Sequence, residues 1–213
     1  MTQIFGFITA ALLITLLYIA GKSRLESLIL AVAVQGILVG ISPLVAHLGA
    51  PTVLAVMIAL ATIVIKGVLI PYFLFRALQG VGVARERKPS SAYLSLIVTT
   101  LLIVLAFWVS RRMQASELFP MPILVAVGGS MVLSGLFMIV TRGKALTQII
   151  GYLVLENGIY LFGVSLGVEQ TVTVELGVLL DVLVCVFITG ILIHRINREF
   201  DSISTQQLDA LRE

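Results

Sequence analysis

Seven apolar stretches, each close to the length a helix needs to cross a bilayer, run through the chain with little between them. The hydrocarbon core of a membrane takes ~20 residues of helix. The stretches fall at Ile4–Ala20, Ser27–Leu48, Thr52–Phe75, Ala92–Val109, Met121–Val140, Ala145–Leu166 and Val172–Ile193. In hydrocarbon no water satisfies a backbone N–H or C=O, so such segments must bond internally as helices. Composition agrees. Hydrophobic residues make up 59% of the 213 and charged residues 12%, against ~45–50% and ~25% in soluble domains. Too few polar side chains remain to cover a water-soluble core, and the mean hydropathy is +1.12. The chain is expected to be an all-α integral membrane protein of seven transmembrane helices.

The first stretch reads as a retained helix. It has no Lys or Arg before its apolar run and no small-residue cleavage site before Lys22-Ser23-Arg24, so it lacks the marks of a signal peptide. Cys185 is the single cysteine, which excludes an internal disulfide. A net charge of +3 does not point to nucleic acid, because basic loops beside apolar spans are what membrane topology requires. The longest polar connection is Gln79–Ser91, and no soluble domain interrupts the spans.

Seven spans place the connections alternately on two faces. One face collects eleven Lys and Arg residues: Lys22, Arg24, Arg76, Arg85, Arg87, Lys88, Arg142, Lys144, Arg195, Arg198 and Arg212. The other holds Arg111 and Arg112 only, and Lys66 lies within a span. The positive-inside rule then puts the N-terminus outside and the C-terminus in the cytoplasm of a prokaryotic inner membrane.

Lys66, Glu156 and Asp181 lie well inside expected spans. A charged side chain at mid-bilayer costs at least ~2.5–3.5 kcal/mol, so such residues are rare and as a rule functional. At ~1.5 Å rise per residue, all three fall within roughly one helical turn of the same depth. One lysine and two carboxylates leave a charge over, which sets the row apart from a simple structural pair. Desolvated groups of these types can exchange protons near neutral pH. Glu156 has Tyr152 and Tyr160 one turn either side and Asn157 beside it; Thr62 precedes Lys66 by one turn on its face. Pro71 lacks the N–H that would bond the Gly67 carbonyl, so a bend is expected just beyond Lys66. The bland alternatives are that Lys66 neutralises one carboxylate for assembly alone and that the tyrosines only pack. His47 and His194 fall at opposite faces, and no CxxC, HExxH, GxxxxGK[ST] or Ser-His-Asp spacing occurs. No catalytic, cofactor-binding or metal-ligating set is expected in this chain.

Residues 121–213 resemble the three-helix K subunit of respiratory complex I and the related C subunit of multisubunit cation/proton antiporters. The resemblance rests on an apolar helix, the basic turn Thr141-Arg142-Gly143-Lys144, and Ile150-Gly151-Tyr152-Leu153-Val154-Leu155-Glu156-Asn157-Gly158. Those subunits carry a mid-helix glutamate after the basic turn, and Glu156 matches it. They carry a second in the next helix, where the nearest acid here is Asp181. With four helices ahead of this unit and the segment Lys66-Gly67-Val68-Leu69-Ile70-Pro71, the whole chain is similar to the hydrogenase-4 component E family.

That resemblance implies a four-helix region over 1–110, a K-subunit-like region over 111–194 and a polar cytoplasmic tail over 195–213. It implies a non-catalytic subunit in the membrane arm of a group 4 hydrogenase or formate hydrogenlyase complex, beside antiporter-like subunits. Nickel-iron and iron–sulfur centres would sit in partner hydrogenase subunits. Glu156 would relay protons, Asp181 would be the second carboxylate, and Lys66 a relay or modulating cation. The competing readings are a subunit of a multisubunit cation/proton antiporter, a stand-alone secondary transporter, and a passive scaffold. A transporter acting alone would ordinarily show two equal repeated halves, and seven spans do not divide so.

The basic asymmetry makes a direct expectation. A reporter fused after Glu213 reads cytoplasmic and one placed in the Arg111–Pro120 connection reads external. Finding both on one side refutes the seven-span layout.

Overall fold

The computed structural model describes residues 2–46, 53–79, 92–113, 121–165 and Gly190. Among them the architecture is helical throughout, in the order α1 (Thr2–Gly21), α2 (Leu25–Ala46), α3 (Val53–Val64), a π-helical turn (Ile65–Leu69), α4 (Ile70–Gln79), α5 (Ala92–Met113), α6 (Pro122–Thr141) and α7 (Ala145–Ser165). Five segments are long and apolar enough to cross a membrane: Leu25–Ser42, Ala59–Gln79, Ala92–Arg112, Pro122–Thr141 and Ala145–Ser165. The apolar part of α1, Gly6–Gly21, is shorter. The described helices thus coincide with six of the seven expected stretches. The seventh, Val172–Ile193, lies outside the described residues, as do Asp181, Cys185 and the polar tail, so the count of seven extends beyond them.

Two helices run differently from the reading of the sequence. The third stretch carries the break expected near Pro71, but as a π-turn over Ile65–Leu69 rather than a simple bend. The fourth does not stop at Val109 but continues to Met113. Arg111 and Arg112 form its last turn, where positive charge opposes the partial negative charge of the exposed helix carbonyls.

The helices are apolar nearly all the way round, so a hydrophobic stripe cannot dictate which faces meet. Small residues do so instead. The broadest helix–helix contact is between α6 and α7, an antiparallel pair joined by the turn at Arg142–Lys144. Gly128 opposes Gly158 and Gly135 opposes Gly151. A Cβ on Gly135 would come within 2.6 Å of the Leu155 nitrogen and 2.7 Å of the Gly151 carbonyl oxygen. A Cβ on Gly158 would meet the Gly128 carbonyl oxygen at 2.6 Å. On each helix the two glycines stand seven residues apart, two turns, so they line one seam where the backbones touch.

Hydroxyl groups are kept out of lipid by bonding back to their own helix. Ser130 donates to the Ala126 carbonyl (2.7 Å), Thr141 to Phe137 (2.7 Å), Ser165 to Phe162 (2.6 Å), and in α2 Ser42 to Val39 (2.7 Å). The turn between α6 and α7 is fixed by more than its own backbone. Arg142, counted among the basic residues of the connections, is buried, with one guanidinium N–H donated to the Ala20 carbonyl at the end of α1 (3.1 Å). Its own carbonyl accepts from the Gln148 amide at 2.9 Å. A cation at the C-terminal end of α1 is favoured by the helix dipole, and this one ties α1 to the α6–α7 pair.

Around that pair, α5 packs on α6, α2 packs on α7, and α1 touches α2, α5 and α6. α2 also carries the π-turn and α4 along its length, which brings the break in the third stretch against α7's partner helix.

The glycine seam predicts an asymmetric response to substitution. Gly135→Val forces a Cβ into the α7 backbone and lowers unfolding stability by about 1–3 kcal/mol, the usual cost of overpacking. Gly143→Ala, where a Cβ meets nothing within 4 Å, leaves it unchanged. Thermal unfolding in mild detergent measures both.

Candidate functional site

The seam sets where α7 points its polar groups. At about 100° per residue, Glu156 lies about 160° around the helix from Gly158, and Tyr160 about 200°. With the glycines turned to α6, these two therefore face α2 and the π-turn. The turn itself follows from local chemistry. Pro71 has no N–H and its ring crowds the carbonyl four residues back, so the α-helical ladder cannot pass through it. The Ile70 N–H reaches the Ile65 carbonyl, five residues away, and the helix widens by one residue at Lys66 and Gly67.

α2 holds this widened turn in place. Gly36 lies directly under Lys66, where a Cβ would sit 2.7 Å from the Lys66 Cβ. One turn on, a Cβ on Gly40 would fall 2.8 Å from Ile63 Cγ1, and a Cβ on Gly67 would come 2.7 Å from Ile37 Cγ1. The contact therefore sets each glycine backbone directly against the side-chain stem of the facing helix. It fixes where the lysine stem starts and which way it leaves.

The ammonium group ends among three side chains of α7. Lys66 Nζ donates to Glu156 Oε1 in an ion pair in which the two side chains are 5% and 1% exposed. It also donates to Asn157 Oδ1 at 3.2 Å and stands 5.6 Å from the centre of the Tyr160 ring. An amide oxygen and an aromatic face both favour a cation without adding charge. Thr62, expected to lie beside the ammonium, is buried at this level and shares a side-chain hydrogen bond with Tyr160. The structure thus gathers Lys66, Glu156, Asn157, Tyr160 and Thr62 into one buried cluster between the π-turn and α7. Tyr152 lies one turn before Glu156, half-buried and packed against the apolar core. Asp181 falls outside the described residues.

Three residues around this seat, Gly36, Gly40 and Gln35, were not read from the sequence. Gly36 and Gly40 form a GxxxG spacing in an apolar helix, the usual mark of close helix contact. That pattern marks a close helix contact, although nothing in it names Lys66 as the partner. Gln35, fully buried in α2 beside Gly36, donates its amide to Thr15 Oγ1 of α1 at 3.4 Å. A glutamine in an otherwise apolar span is itself a signal, since a polar amide in lipid needs a partner.

Chemically, the cluster places an amine, a carboxylate and an amide oxygen in direct contact away from solvent. Among the described residues no three His, Cys, Asp or Glu side chains come together as a metal site would require.

No protein-family model matches the chain, and no solved structure does. It is 28% identical over 209 residues to the uncharacterized protein Rv0085 of Mycobacterium tuberculosis, covering 97% of this chain and 95% of that one. The similarity extends over nearly the whole length of both chains.

The ion pair gives a testable energetic signature. Lys66→Met strands a carboxylate and lowers stability by up to about 3–5 kcal/mol. The double substitution Lys66→Met with Glu156→Leu recovers much of that loss, because no buried charge is left uncompensated. A double-mutant cycle on unfolding midpoints checks the coupling, and additive losses show that the two side chains do not interact.

Proposed function

We propose that this chain is a non-catalytic membrane-arm subunit of an energy-converting respiratory-type complex. The complex is of the group 4 hydrogenase or formate hydrogenlyase kind, in a prokaryotic inner membrane with the C-terminus cytoplasmic. In it, Lys66 and Glu156 carry protons across the middle of the membrane as electrons move through partner subunits. The observation that carries this reading is the buried Lys66–Glu156 pair at a π-turn, with Asn157 and Tyr160 around the ammonium. A pair meant only for assembly has little need of a widened helix beneath it, and π-turns recur at functional sites. An amine and a carboxylate in contact within the bilayer change protonation together. Any group that brings charge nearby biases that exchange, which is the coupling such a complex requires. Asp181 is the proposed second carboxylate. The resemblance of the Gly143–Tyr160 segment to complex I K-type subunits supports the assignment of Glu156. The redox centres of the complex are assigned to the partner hydrogenase subunits, and antiporter-like subunits are the proposed neighbours in the membrane.

The discriminating variant is Glu156→Gln, which is nearly isosteric and keeps an oxygen to accept from Lys66. Assembly, read by co-purification of hydrogenase-type partners, is retained. Membrane-potential generation coupled to electron transfer falls at least tenfold, equivalent to about 1.4 kcal/mol of lost coupling. Full assembly with normal coupled activity makes Glu156 a passive packing residue. Purification of the chain alone, with transport activity of its own, favours a secondary transporter instead.

A further inference from the structure

A groove of about 540 Å³ opens between α5, α6 and α7, lined by none of the residues of the Lys66–Glu156 cluster. Its walls include Leu105 and Val109 of α5, Val125 and Leu133 of α6, and Phe162 of α7, with Gly129 among them. The neighbouring glycines of α6 divide the work. Gly128 lets α7 approach, while a Cβ on Gly129 would meet only Ala106 Cβ at 3.6 Å, an ordinary contact. The side chain missing at Gly129 therefore leaves space that neighbouring helices do not fill. A volume of this size lies within the range of small-molecule pockets, ~300–1,000 Å³. Its lining is almost wholly apolar.

The mouth is different. Leu105 and Val109 recur at i and i+4 on α5, and Arg112, at i+7, continues the same stripe past the end of the groove. Arg112 is exposed, and its guanidinium stacks 5.4 Å from the ring of Trp108, itself 58% exposed. Arg111 adds a second exposed cation at this helix end. Ser110 donates to the Pro122 carbonyl at 2.6 Å, which fixes the end of α5 against the start of α6. An apolar slot at acyl-chain depth thus ends at a tryptophan and two guanidinium groups. Tryptophan sits at headgroup level in membranes, and arginine is the side chain best shaped to bind phosphate oxygens.

We propose that this groove is a binding site for an anionic phospholipid. One acyl chain lies along Leu105, Val109 and Gly129, and the headgroup phosphate sits on Arg112 with Arg111 nearby. This site is separate from the Lys66–Glu156 cluster and does not depend on the function proposed for it. A zwitterionic lipid fits the apolar slot equally well, so charge at the mouth is what selects. Two cations near a headgroup are together worth more than one, and removal of one costs about fivefold in preference.

Trp108 is the single tryptophan of the chain, which makes the site directly readable. The full chain is reconstituted in phosphatidylcholine vesicles containing a small fraction of phosphatidylglycerol, with either lipid brominated on its acyl chains to quench Trp108. Brominated phosphatidylglycerol is expected to quench well above its mole fraction, while brominated phosphatidylcholine follows its mole fraction. Arg112→Gln, an exposed substitution that leaves the helix packing alone, lowers the excess about fivefold. Gly129→Leu, which fills the slot, removes it. Equal quenching by both lipids in proportion to their amounts overturns the proposal and makes the groove ordinary lipid boundary. Quenching by neither lipid also overturns it, since a second copy of the chain then covers the groove.

Discussion

Lys66 and Glu156 stand 90 residues apart in sequence, yet meet in an ion pair from which solvent is almost excluded. In hydrocarbon neither charge tolerates isolation, because there is no water to take its place. The contact therefore constrains the layout around it. The π-turn must lie close on α2 so that the Lys66 side chain can reach α7, α2 must be thin enough at Gly36 to allow it, and α7 must turn its glycine face away toward α6. The last two conditions are met by residues whose chief property is the absence of a side chain. Within a bilayer, where burying apolar surface gives helices little reason to associate, close backbone contact and polar pairing supply the specificity instead.

Proline and glycine act here as instruments of that specificity. Pro71 alone, in an exposed helix, would cost several kcal/mol and bend the chain. Next to Gly67 and above Gly36, the same break becomes a widened turn that presents the lysine stem at a defined angle. A straight α-helix would carry Lys66 at a different azimuth, since one inserted residue rotates everything beyond it by about a third of a turn. The deformation and the charge belong to one device.

The two sides of α6 serve different ends. Its inner seam, Gly128 and Gly135, locks α7 in register and so holds Glu156 at the level of Lys66. Its outer side, at Gly129, leaves a slot toward α5 and lipid. Arg142 closes the opposite end of the pair by capping α1. A substitution at the seam would therefore reach the ion pair without touching it, through the azimuth of α7.

Much was legible in the residues themselves. Spacing and length gave the apolar helices, since a hydrocarbon slab admits only internally bonded segments of about 20 residues. The cost of charge in that slab singled out Lys66, Glu156 and Asp181, and helical periodicity placed Thr62, Asn157 and Tyr160 beside the first two. Pro71 marked the position of the break. The pairing itself was not legible. Three intramembrane charges at one depth admit several partnerships, and depth says nothing of azimuth or of which helices are neighbours. Nor could composition distinguish Arg142, buried against the end of α1, from the exposed basic residues it was counted with. Those outcomes depend on which backbones can touch, and only the folded arrangement of Gly36, Gly67, Gly128, Gly135, Gly151 and Gly158 decides that.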